Sequence, residues 1–164
     1  MNGTAFDGRN MDRSKTEEGA PERIRRARES LGLSEKQVAE ALQLPIAWYC
    51  DVEAYPWEVF STVSLSRLQL LGRVLRLEPR EILVGDPDGS PTGTIAFKEL
   101  SAAVARKMAE RSLDVQAASE RVGWELSEVL RDPEKFWDFN IDGLRDVCDF
   151  AEIDWLAVLA GLPQ

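Results

Sequence analysis

The sequence predicts an all-α protein made of two tandem units, each of about five short helices, joined by a Gly/Pro/Asp linker. Three observations carry this expectation. Apolar residues recur at helical rather than alternating spacing, the pattern of one half of the chain returns in the other, and "GDPDGSPTGT", Gly85 to Thr94, separates the two.

Residues 1–21 lack apolar periodicity and are rich in Gly, Asn, Asp and Ser, so a disordered tail is expected there. The first unit, 22–84, opens with "PERIRRARESLG", read as a helix entered at Pro21 and closed near Gly32, with Ile24, Ala27 and Leu31 facing inward. At about 100° per residue, Arg25 and Arg26 then point to solvent. Ser34 with Gln37 three residues later is a capping-box signature for a second helix that buries Val38, Ala41 and Leu42. After a short connection Pro45 suits the first turn of a third helix. Tyr49 and Val52 mark its inward side and Trp48 its flank; Ala47, Cys50, Asp51 and Ala54 face outward, with Ile46 at the margin. A fourth helix follows Ser64 with Leu65, Leu68, Leu71 and Leu75 inward, and a fifth follows Pro79 with Ile82 and Leu83.

The second unit, 95–164, repeats this order. "LDVQAASERVGW" lies over "LSEKQVAEALQL", so that Asp114 matches Ser34 as an N-cap and Glu120 matches Glu40. "NIDGLRDVCDFAEIDWLAVLAG" lies over "SLSRLQLLGRVLRLEPREILVG", sharing apolar positions from Leu65/Ile141 to Leu83/Leu159. Each segment carries its own periodic core, so the two are expected to fold separately about the linker.

Composition narrows the function. The chain has no histidine, which removes Ser/His/Asp and Cys/His catalysis and imidazole metal sites; no catalytic set, metal site, cofactor site or small-molecule site is read from the residues. Asp86 and Asp88 do not make a calcium loop, because the glycine comes too early and no ligand set follows. Cys50 and Cys148 lack metal or disulfide spacing and are read as reduced thiols. No apolar run has the length of a membrane span, and the cytoplasm is the expected location. The net charge of -9 is unevenly spread: 22–84 is balanced, whereas 95–164 carries eight basic and fourteen acidic residues. A nucleic-acid surface on the second unit is therefore not expected.

At this point "IRRARESLGLSEKQVAEALQLPIAWYCDVE", followed by "SLSRLQLLGRVLRLEPREIL", resembles the Xre/Cro type of helix-turn-helix domain, the lambda-repressor-like fold. The resemblance covers about Glu22 to Val84 through Leu33, Ser34, Val38, Ala39, Leu42, Val52 and Glu53, and the second unit resembles the family only as a degenerate copy. It implies that Pro45, Ile46, Ala47, Cys50 and Asp51 stand where members of the family contact bases. Readout in the major groove needs donors and acceptors on short or bidentate arms, and these residues offer almost none. Arg25, Arg26 and Lys36 remain for phosphate contact, opposed by Glu35.

Two functions follow. One is a non-enzymatic, DNA-linked transcriptional regulator that binds duplex DNA weakly by itself through Arg25, Arg26, Lys36, Ile46, Ala47, Cys50 and Asp51; homodimerisation is left open. The alternative is a helix-turn-helix derivative that has lost DNA readout and, as an antitoxin, immunity protein or adaptor, binds a protein through Ile46, Trp48, Asp51 and Trp57. Five aromatics between Trp48 and Phe60 are suited to an interface anchor.

Overall fold

Helix α1 runs Arg13–Ser30 in the computed structural model of the chain, which describes residues 13–85 and 93–162, with side chains from Gly19 onward. The expected tail therefore divides. Residues 1–12 lie outside the described residues, whereas 13–21 are helical, with Pro21 inside α1 rather than at its entrance. Local sequence disfavours an interior proline. Tertiary contacts offset that cost: Ala20 is fully buried, and Arg23 donates from Nε to the Ile82 carbonyl at 2.9 Å and from Nη2 to the Leu83 carbonyl at 2.7 Å, which packs α1 along helix α6 (Pro79–Val84).

The remaining described residues form α2 (Glu35–Ala41), α3 (Ile46–Ala54), α4 (Glu58–Ser61), α5 (Leu65–Leu75) and α6, then α7 (Phe97–Glu110), α8 (Val115–Val122), α9 (Ser127–Arg131), a 3-10 turn at Pro133–Asp138, α10 (Ile141–Ala151) and α11 (Trp155–Ala160). The described chain is all-helical. The short α4 was not among the expected helices, and it buries Val59 and Phe60. The stripes of α5 hold as expected, with Leu65, Leu68, Leu71 and Leu75 buried. In α2, however, Ala39 rather than Ala41 is buried beside Val38, because Ala39 faces the core next to Val38 while Ala41 turns to solvent. No described helix is long and apolar enough to cross a membrane.

Helix ends recur along the chain. Ser34 and Asp114 cap α2 and α8 by accepting from the third backbone N–H, and Ser64 and Asn140 do the same for α5 and α10. Left-handed residues follow the same helices in both halves: Gly32 and Ser112 after α1 and α7, Gln43 and Gly123 after α2 and α8, Arg76 and Glu152 after α5 and α10. The two halves also pack directly on each other. α10 lies against α4, α5 against the 3-10 turn, and α6 against α11, while the Leu65 N–H donates to the Phe139 carbonyl at 2.8 Å. One apolar cluster runs through both.

Candidate functional site

α2 and α3 meet through a tight connection. Leu42 ends α2, Gln43 takes a left-handed φ of 57°, the Leu44 N–H donates back to the Ala39 carbonyl, and Pro45 stands one residue before α3 instead of in its first turn. The start of α2 is held by the reciprocal Ser34–Gln37 box, with the Gln37 N–H on Ser34 Oγ and the Ser34 N–H on Gln37 Oε1.

The inward side of α3 carries a polar network absent from the sequence reading. Glu53 is buried and receives Arg28 in a bidentate grip, Nε to Oε1 at 2.6 Å and Nη2 to Oε2 at 2.8 Å, while the Tyr49 hydroxyl donates to Oε1 at 2.5 Å. Arg28 also donates from Nη1 to the Leu33 carbonyl at 3.0 Å, so α1, the turn after it and α3 are locked together. The hydrogen bond to Glu53 raises the Arg28 pKa above its already high value; burial first, and then the hydrogen bond to Glu53, holds the Tyr49 phenol neutral well beyond its ordinary range. The signal was available: Ile24, Arg28 and Leu31 share the inward spacing of α1, and a charged residue on such a stripe requires a partner.

The outward face of α3 is different. Ile46, Ala47, Asp51 and Ala54 are exposed, Cys50 is half-buried, and the stripe continues past the helix end into Tyr55 and Trp57, whose rings stack at 5.1 Å between centroids. Ile46 is 48%, Tyr55 45% and Trp57 55% exposed, and these three are the large apolar side chains that stand out in solvent among the described residues. Trp48, expected with them, is half-buried under the Arg67 guanidinium at 5.3 Å and belongs to the flank. Cys50 points its thiol at Glu35 Oε2, 3.4 Å away, and burial followed by that hydrogen bond and the neighbouring carboxylates pushes the thiol's pKa up. It is a protonated side chain, unsuited to nucleophilic work at neutral pH.

The three candidate phosphate contacts all have carboxylates beside them. Arg25 Nη2 donates to the Glu53 carbonyl at 3.3 Å and lies 3.7 Å from Glu22, Arg26 lies 3.6 Å from Glu22, and Lys36 lies 3.8 Å from Glu40. Pairs this exposed bind weakly, so they do not immobilise the cations, but they lower the local positive potential.

Comparison of the chain with protein-family models, curated proteins and solved structures gave no match. Along two turns the outward face of α3 presents methyl groups, a protonated thiol and a carboxylate, with no amide or guanidinium to donate into a groove.

Proposed function

We propose that this chain is a non-enzymatic regulatory protein of two tandem lambda-repressor-like units, the first of Xre/Cro type, that acts through the outward face of α3 on a protein partner. The observation carrying this reading is the strip of Ile46, Ala47, Cys50 and Ala54 leading into the stacked Tyr55 and Trp57, with the carboxylate of Asp51 on it and that of Glu35 beside Cys50. A solvent-exposed apolar strip with aromatic anchors at its end is the chemistry of a protein groove, and a duplex groove gains little from it. The matched N-caps and left-handed helix ends of the two halves support the two-unit reading. The test is capture from cells with the full chain as bait: a specific partner should be retained by the wild type and lost with both Ile46→Ala and Trp57→Ala. A partner held equally by all three sinks this use of α3.

A second reading, a DNA-linked transcriptional regulator with weak base readout, draws on one observation. Arg26 and Lys36 keep 78% and 73% of their side-chain surface in solvent and can reach phosphates despite their acidic neighbours. Fluorescence anisotropy against random duplex and the protein's own promoter separates the two readings. Nanomolar, promoter-selective binding would favour DNA.

A further inference from the structure

The helix-to-helix contacts between the halves obey one exchange rule. Map α4 onto the 3-10 turn, α5 onto α10 and α6 onto α11, as the N-caps Ser64 and Asn140 and the left-handed ends Arg76 and Glu152 require. Under that exchange the contact of α10 with α4 becomes the contact of α5 with the 3-10 turn, and both are present. The contact of α6 with α11 maps onto itself. Ser64 and Asn140, each the counterpart of the other, form an antiparallel bridge with one another. Counterparts that touch each other, and contacts that occur in reciprocal pairs, are the mark of an isologous, two-fold interface; a head-to-tail arrangement would keep counterparts apart.

We infer that residues 93–162 act as a covalently tethered subunit, paired with 19–85 across a local two-fold axis at Ser64 and Asn140, and that they fill the surface on which a second copy of this chain would otherwise seat. This rests on the two-unit reading. The joint is well built. Arg145 is buried between the Phe60 ring of the first half, 4.4 Å from its guanidinium, and the Trp155 ring of its own half at 4.5 Å, and Asn140 Nδ2 donates to the Ser61 carbonyl.

The tethered half has not kept the working face. Where the first half has nine residues in α3, its counterpart α9 has five, and the position matching Arg28 is Met108, so the arginine of the buried ionic grip has no equivalent in the second half. The molecule therefore presents one α3 face and engages its target one to one as a single chain, instead of offering two symmetric faces as a homodimer.

The wild-type chain gives two readouts. Its light-scattering mass should stay that of one chain from micromolar to the highest soluble concentration. The Leu65 amide stands at the first position of α5, where no intrahelical acceptor exists, so hydrogen exchange at a helix start would be fast; the bond to Phe139 across the axis should slow it to the level of the core. A paired variant adds a third. Paired residues of an antiparallel bridge have Cα atoms about 4.5–5.5 Å apart, within disulfide range, so Ser64→Cys with Asn140→Cys should cross-link within one chain. A mass that rises to two chains, a fast-exchanging Leu65 amide or a cross-link between chains overturns the inference. Ile46→Ala and Trp57→Ala should leave mass and Leu65 protection unchanged, so failure of the α3 reading is distinguishable from failure of this one.

Discussion

Arg28 and Glu53 form a buried, two-point ion pair across α1 and α3, with N–O distances of 2.6 and 2.8 Å. The pair fixes the inward side of α3, and therefore the direction in which Ile46, Asp51 and Ala54 face. Removing one partner strands a charge in the core. Glu53→Ala should lose about 3–5 kcal/mol by chemical denaturation, whereas replacing both residues by apolar ones should cost much less. A loss in the double variant equal to the sum of the Arg28 and Glu53 single losses would show that the pair is not coupled.

Tyr49 donates to the same carboxylate, and its raised pKa has a defined pH consequence. The folded state keeps the phenol protonated, so this contribution is full below the ordinary tyrosine value of 10.0 and is lost as pH rises above it and the unfolded chain's phenol ionises first. Stability measured from pH 9 upward should fall, and Tyr49→Phe should flatten the fall. A variant with the wild-type slope would exclude Tyr49 as its source.

Phe60 and Trp57 lie three residues apart and should behave oppositely. Phe60 is 1% exposed and sits under Arg145 at the joint between the halves, so Phe60→Ala should cost about 3–5 kcal/mol. Trp57 is 55% exposed, and Trp57→Ala should change stability by less than about 1 kcal/mol while weakening partner capture. A large stability loss for Trp57→Ala would make it a structural residue.

DNA binding by the isolated protein should be weak and nearly sequence-blind. With Arg25, Arg26 and Lys36 as the phosphate contacts, the log-log salt slope should not exceed about -3, at ~0.9 per contact. Anisotropy titrations at two salt concentrations measure it. A much steeper slope would mean that further basic side chains contact the duplex.

Truncation tests the start of α1. Deleting the chain through Pro21 would remove the buried Ala20 and Pro21 along with part of the helix, and should lower the melting temperature measurably. An unchanged melting temperature would show that α1 gains nothing from its first two turns.

By itself the sequence determined the helices whose signals are local. The leucine stripe of α5, the inward Tyr49 and Val52 of α3 and the Ser34–Gln37 box all follow from 3.6-residue periodicity and side-chain capping within a few residues. The outward exposure of Ile46, Ala47 and Asp51 followed in the same way, as the other side of a helix whose buried side was legible. The tertiary structure decided what depends on residues far apart in the chain. Pro21 sits inside a helix because Arg23 reaches across to the carbonyls of α6, Arg28 is tolerable in the core because Glu53 arrives 25 residues later to receive it, and Trp48 leaves the exposed strip because Arg67 covers its ring. Periodicity could suggest a repeat but not where distant segments touch: Arg145 on Phe60 and Ser64 beside Asn140 depend on where two surfaces meet, and no local propensity encodes that.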